Sequence, residues 1–383
     1  MSPEFPLWVR GTHFANLFFL SLLMRSGLEV LSAHPKLYWR DDATPGTEWA
    51  KLGGPDLPAG ELWTSEDEAI SLPSWLALPG RRNLGLGRHW HFWSVFGWCL
   101  TGAVYLLCLF GGDHWRRLIP TSWRIFPRAW QAFWIYAHLG LPPAGHPFNA
   151  LQQLTYAAVI FVLAPLLIVT GLGMSAALEG RFPWINRWAG GHQGARSLHF
   201  LGLLAFFAFT IVHVAMVVAH GFADEMNKIV LGTPGAHQGE AVAVGAFGLL
   251  LVLAWHVAAT IDTLDRPNRA QALLEIGIGP LRRRLFHFWI SRQRFSQRSP
   301  VFRVNGRPPK DADWCRLAET GFADWRLEIG GLVAQPLSLS LAELRALPAT
   351  TQTTRHVCIQ GWTAFAEWRG VAVSELLARV RPT

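Results

Sequence analysis

The sequence predicts an all-α membrane bundle, four core spans plus a fifth, that ends in a small α+β domain. Hydrophobic residues fill 51% of the 383 positions and charged ones only 16%, a balance too apolar for a soluble domain of this length. Five apolar runs approach or reach the length needed to cross a bilayer. Beyond Ile261 the composition turns basic and then mixed, with the strand, turn and short-helix alternation of a soluble segment. These shifts divide the chain at 1–235 (four-span core), 236–265 (fifth span), 266–302 (basic linker) and 303–383 (C-terminal domain).

The remaining composition fits that class. The 20 Trp suit interfacial belts, where an indole keeps its N–H wet. Much of the net charge of +8 lies in loops and in the segment after the last span, where membrane lipid with anionic headgroups is a sufficient partner and nucleic acid is not expected. Cys99 and Cys108 sit within an apolar run and leave Cys315 and Cys358, so the four cysteines make no disulfide framework. The first run lacks a small-residue cleavage site and has Arg10, His13 and Arg25 around it, which reads as a span rather than a cleavable leader.

In chain order, the first span covers Leu7 to Leu23, carries His13, and leaves the membrane through Gly27 and Pro35. A polar loop from Arg40 to Gly87 follows. The second span, His89 to Phe110, opens with His89 and His91, and a polar, aromatic linker runs from Gly111 to Asn149. The third, in LQQLTYAAVIFVLAPLLIVTGLGM, has no histidine, and Pro165 should kink it. The fourth, Arg196 to His220, holds His199 and His213. The fifth, Ala241 to Ile261, holds His256, which reads as a packed or interfacial residue.

The fourth span organises the rest. At about 100° per residue, fourteen positions bring His213 to within roughly 40° of His199 and about 21 Å along the axis. A titratable side chain in hydrocarbon costs on the order of a few kcal/mol, so two on one stripe require a reason. Haem iron supplies one, because it takes the lone pair of a neutral imidazole; a hydrogen bond to a neighbouring helix or a proton path is the other. His89 and His91 lie on nearly opposite faces, so at most one ligates a given haem, with His91 expected and His89 its substitute. An up-and-down bundle sets the start of span one level with the end of span four, and the start of span two level with its beginning. That pairs His13 with His213 and His91 with His199.

Those residues carry a resemblance. LWVRGTHFANLFFLSLLMRSG, the AHPKLYW loop, GRHWHFW, NALQQLTYAAV with its TGLGMS, and RSLHF followed by VHVAM resemble the di-haem cytochrome b family, the membrane subunits found with hydrogenases, formate dehydrogenases and thiosulfate reductases. The likeness covers Pro6 to Gly232. It implies axial ligands at His13, His91, His199 and His213, hence two haem b, exchange of electrons with membrane quinone, and a multi-pass place in the bacterial inner membrane. It also implies a cytoplasmic N-terminus and, through five spans, a periplasmic C-terminal domain. Basic residues point the other way, because Arg25, Lys36, Arg40, Lys51, Arg81, Arg82 and Arg88 crowd the first outer segment, although so long a loop weakens that rule.

In the tail, Leu327, Ile329, Leu332 and Val333 are the apolar strand positions and Ser340 caps LAELRAL. Cys358 stands between a β-type run and a Gly-Trp turn. With Arg355 and His356 close in sequence, its thiolate suits a soft metal or a reactive role; a buried small residue at a strand end is the alternative. GLVAQPLSLSLAEL followed by RHVCIQGWTAFAEWRGV is similar to the molybdopterin-binding domain of the sulfite-oxidase family, especially the bacterial branch that includes methionine-sulfoxide reductases. The resemblance implies that Cys358 is the protein sulfur ligand to molybdenum, with Trp362, Trp368 and Arg355 at matching aromatic and basic positions, so that Cys358 and Arg355 are the candidate catalytic residues. The family's domain continues well past this point, which makes the expected domain incomplete. The expected function is electron transfer between quinone and a molybdopterin centre through two b haems; the alternative is a haem subunit whose tail docks a separate oxidoreductase and binds no molybdenum.

Overall fold

The computed structural model describes residues 5–55, 62–143, 145, 147–182, 184–232, 237–286 and 295–383. Five of its helices are long and apolar enough to cross a membrane: span 1 (Leu7–Ser32), span 2 (Leu84–Phe110), span 3 (Ala150–Gly173), span 4 (His192–Ala219) and span 5 (Gln238–Asp265). Most positions along them present apolar side chains outward, as a lipid solvent requires.

Span 1 runs past Gly27 to Ser32, because a glycine is tolerated inside a helix, and stops just short of Pro35, whose ring disfavours helical backbone before it. Spans 1 and 2 pack closely: a Cβ on Gly87 would lie 2.6 Å from Glu29 Cγ, so only a missing side chain permits the approach. Span 3 opens on a capping box, Asn149 with Gln152. A π-helical turn, Val159–Leu163, ends two residues before Pro165 and absorbs the hydrogen bond that the proline cannot make, so the expected distortion takes this form. Span 4 begins four residues earlier than the sequence suggested. Gly191, at φ +106°, turns the chain into it, and Gly194 lets its first turn touch Ala189, whose carbonyl oxygen would be 1.7 Å from any Cβ there.

Two helices lie where linkers were expected. Ile125–Ala137 buries Ala129 and Ala132 and turns Phe126, Trp130, Phe133 and Trp134 outward. Pro267–Phe286 folds back on spans 2 and 5 through a stripe of Ala270, Leu274 and Ile278, and Leu274 joins Leu22, Leu78, Trp90 and Ala259 in one buried cluster. The expectation that the basic stretch Arg282–Arg303 lies along the membrane surface falls partly outside the described residues, since 287–294 are not among them, and at its described end Arg303 is fully buried against the first loop.

The tail is built from two antiparallel hairpins and three short helices. Numbering strands along the chain, β1 (Lys36–Leu37) pairs with β2 (Ala50–Lys51) in the first loop. In the tail β3 (Arg326–Ile329) pairs with β4 (Leu337–Ser340), and β5 (Ala349–Val357) with β6 (Thr363–Val371). Ser340 caps helix Leu341–Ala346 in a capping box with Glu343, as its position after a strand suggested. Tail and membrane part join: Ser65 N–H donates to Val304 O at 2.8 Å, and Tyr38, Ala43, Trp362 and Ala364 share a buried cluster. The first loop, the loop between spans 3 and 4, and the tail therefore gather at one end of the bundle.

Candidate functional site

The bundle brings four histidines together in two pairs. His13, early in span 1, faces His213, late in span 4, with ring centroids 6.2 Å apart. His91, in the second turn of span 2, faces His199, in the second turn of span 4, at 6.4 Å. A ring nitrogen bonds a first-row metal at about 2.0–2.1 Å, so two coaxial imidazoles on opposite sides of one ion put their centroids roughly 6.3 Å apart. Both gaps have that width.

At the second pair the hydrogen bonds also choose the nitrogen. Ser26 Oγ donates to Leu22 O at 2.7 Å, so its lone pair is what meets His91 Nδ1 at 3.1 Å. Thr170 Oγ1 likewise donates to Leu166 O at 2.7 Å and lies 3.0 Å from His199 Nδ1. Each Nδ1 therefore carries the proton, and each Nε2 keeps its lone pair for a metal. His213 is flanked by Phe209, stacked at 5.5 Å, and by Tyr156, edge-on at 6.0 Å. His89 turns aside to Gly85 O and Glu275. His256 sits against Ser21 and Arg25, each at 2.8 Å, a packed intramembrane cluster.

Cys358 follows β5 and starts a tight turn: its N–H donates to Trp362 O, and Gly361, at φ +109°, donates back to Cys358 O, both at 3.0 Å. Its Sγ lines a cavity of about 440 Å3 between the tail and the membrane part. Burial pushes the thiol's pKa up, while the N–H groups of Gln360 and Ile359 and the charges of Arg303 and Arg88 pull it back. Arg355 is not among those cations. Three residues along a strand reverse the side, so it points away from Cys358, to Asp41 Oδ2 at 3.0 Å and to Glu179. A soft-metal thiolate fits the Cys358 position; a reacting group at Arg355 does not follow from this geometry.

Residues 4–232 match the family described as prokaryotic cytochrome b561. The chain belongs to that family. Residues 316–383 match the oxidoreductase molybdopterin binding domain. A YedZ1 protein of Azospira oryzae, named as a candidate subunit of protein-methionine-sulfoxide reductase, is 28% identical over 55% of this chain and 88% of its own length. A second stretch of the same protein is 44% identical over 17% of this chain and 24% of its own. The catalytic subunit MsrP of protein-methionine-sulfoxide reductase from Xanthomonas axonopodis pv. citri is 37% identical over 15% of this chain, but only 19% of the MsrP length is covered. No solved structure matches. The chain is thus a cytochrome b561-type integral membrane protein fused to sequence of a molybdopterin-binding domain, and the two families imply haem b and molybdopterin.

The b561 part holds the molybdopterin-type tail through charges that the sequence did not single out. Arg303, fully buried, donates from Nε to Glu68 at 2.6 Å, from Nη1 to Ala43 O at 2.7 Å and from Nη2 to Tyr38 Oη at 3.0 Å. Lys36 Nζ meets the other Glu68 oxygen at 2.8 Å. Burial would raise the Glu68 pKa, but hydrogen bonds and charge from His34 and Arg303 hold it far below the usual carboxylate range. His34, also fully buried, is pushed down to about 4 by burial, despite the Glu68 carboxylate 3.4 Å from its Nδ1. Glu179 is held at about 2: burial raises it, and the neighbouring His192 ring, 3.7 Å away, and the Arg355 guanidinium outweigh that. On the span side, Gln193 Nε2 donates to Gly361 O at 2.8 Å, and Arg196 donates to Lys36 O at 2.6 Å and to His34 O. The only signal available in sequence was a set of polar and charged residues with no evident use, His34 and Lys36 inside AHPKLYW, Gln193 and Arg196 inside GGHQGARS, and Glu68, Glu179 and Arg303 well away from both.

Proposed function

We propose that the chain carries electrons between membrane quinone and a molybdopterin centre, with one haem b between His13 and His213, a second between His91 and His199, and Cys358 as the protein ligand to molybdenum. The observation that supports it best is the double pairing: one helix presents two rings, and each meets a ring of another span across the width that one metal ion needs. When bound, the haems supply one-electron steps and the molybdenum centre two-electron oxygen-atom chemistry. The chain's own residues hold and order these sites. Ser26 and Thr170 orient the imidazoles, and the tail seats the Cys358 turn at the end of the bundle where the His91 and His199 pair lies.

The relatives' names bring protein methionine sulfoxide forward as the substrate class. Sulfoxide, two protons and two electrons give the thioether and water, and quinol, becoming quinone, supplies both the electrons and the protons. In this reading 1–235 is the di-haem domain, 236–265 the added span, 266–302 the connection and 303–383 the molybdenum-binding portion, placed in the periplasm of a bacterial inner-membrane protein. Reduced-minus-oxidised spectra with haem quantitation test the ligands: His13→Ala and His199→Ala should each lose one haem and keep the other. Retention of both haems in either variant sinks the assignment.

One observation favours a second reading, a haem relay whose tail docks a separate oxidoreductase subunit. Arg355 is spent on Asp41 and Glu179, at the joint between tail and bundle, rather than beside Cys358. Molybdenum analysis of the purified, haem-replete protein separates the two, since stoichiometric metal supports the enzyme and its absence the relay.

A further inference from the structure

Span 5 lies outside the residues that match cytochrome b561, yet it helps to close a polar cluster inside the bundle. Arg25 of span 1 donates from Nη1 to His256 Nδ1 at 2.8 Å, and from Nη2 to Thr260 Oγ1 at 3.0 Å, to Ala77 O at 3.3 Å and to Ser74 O. Ser21 Oγ donates to Phe18 O at 2.9 Å, so its lone pair is what meets His256 Nε2 at 2.8 Å. That nitrogen carries the proton, and Nδ1 keeps the lone pair that Arg25 takes. Thr260 Oγ1 donates to His256 O at 2.8 Å and so accepts from Arg25 in the same way. Every acceptor around the guanidinium is therefore neutral. Glu29, the one carboxylate of span 1, is held by the backbone of Asn83 and Gly80 instead. The cluster carries one positive charge with no anion bonded to it.

We propose that Arg25, anchored by His256 of span 5, is a fixed charge that raises the reduction potential of the haem between His91 and His199, an inference that rests on the di-haem reading above. The next residue, Ser26, meets His91 Nδ1 at 3.1 Å, and a Cβ on Gly27 would lie 3.6 Å from His91 Cε1, so this turn of span 1 packs directly on that ring. Side-chain lengths and Cα steps of about 3.8 Å put the guanidinium roughly 10–20 Å from the middle of the gap between His91 and His199. Salt screens a partly buried charge little. At an effective dielectric constant of about 20, Coulomb's law gives a unit charge at that range a weight of roughly four- to fifteenfold on a one-electron equilibrium. Reduction brings negative charge into the gap, so a fixed cation favours it. Electrons are thereby drawn toward the end of the bundle where Cys358 lies, and the added span has a use: it holds the charge in place.

Potentiometric titration of the haem absorbance in the purified full chain tests this. Arg25→Gln removes the charge, His256→Asp sets a carboxylate against it and cancels it with the arginine still present, and Arg25→Lys keeps it. In the first two, the shift of roughly four- to fifteenfold lowers one midpoint by about 35–70 mV, at 59 mV per tenfold for one electron; Arg25→Lys should hold the wild-type value. The other haem, at the far end of span 4, should move far less, and the same substitutions in the His13→Ala background, which keeps only the haem at His91 and His199, identify the one that shifts. If Arg25→Gln does not fold, His256→Asp decides alone. Unchanged midpoints in the charge-changing variants, with haem content intact, overturn the proposal and leave the di-haem reading standing. A drop in Arg25→Lys as large as in Arg25→Gln overturns it too, because packing rather than charge would then set the potential. A wild-type chain with a single haem defeats the di-haem reading first, and this inference with it.

Discussion

At the scale of single residues, the axial histidines were legible because an imidazole inside an apolar run is conspicuous and helical spacing is arithmetic. Ser26 and Thr170 were not, since a hydroxyl in a membrane helix ordinarily bonds back to its own carbonyls, which both also do. Their further contact with Nδ1 appears only when spans 1 and 3 are set beside spans 2 and 4. Ser26→Ala or Thr170→Ala should therefore leave both haems bound but weaken retention of the one at His91 and His199 by roughly ten- to a hundredfold, the usual size of such outer contacts. Haem loss to an acceptor such as apomyoglobin, followed spectrally, measures this, and equal rates in variant and wild type would contradict it.

Elements differ in how plainly the sequence announces them. The five spans follow from hydropathy alone, and even the distortion before Pro165 was expected, though not its π-helical form. Pro267–Phe286 was hidden because, among its described side chains, the buried stripe is small, Ala270, Leu274 and Ile278, and Arg282, Arg283 and Arg284 fall within its last turns. The helix at Ile125–Ala137 was hidden for the opposite reason, an aromatic face that turns outward. Packing between elements predicts more sharply than their existence. Gly87→Val would drive its side chain into Glu29, whose Cγ is 2.6 Å from where a Cβ would sit, and push the start of span 2 off span 1. The haem at His91 and His199 should be lost while the other, at the far end of span 4, stays; loss of both or of neither on quantitation would show that the contact does not set that pair. Leu274→Ala, in the cluster beneath the fold-back helix, should cost about 2–5 kcal/mol, read as a lowered thermal midpoint in detergent.

For the whole molecule, the decisive feature is that membrane part and tail are locked by buried charge rather than by apolar area alone, and this was illegible because the partners lie hundreds of positions apart, Glu68 with Arg303 by 235. Glu68 and His34 make the joint sensitive to acid in one direction. His34 falls from 6.5 to about 4 when buried, so the joined state excludes a proton that the separated state takes up; its contribution is complete above pH 6.5 and disappears as pH falls toward 4. Glu68 is held below its ordinary 4.5, so its contribution also is present above that value and fades as pH drops further. Both slopes have the same sign. Limited proteolysis should thus release a fragment from the 295–383 region with increasing ease as pH is lowered from 7 to 4, while the haem spectrum of the bundle persists. Glu68→Gln strands Arg303 in a buried site and should weaken the joint by about 3–5 kcal/mol, giving that release already at neutral pH. A tail equally protected at pH 7 and pH 4.5, or equally protected with and without the carboxylate, would mean that the joint is held by Trp362 and its apolar neighbours instead.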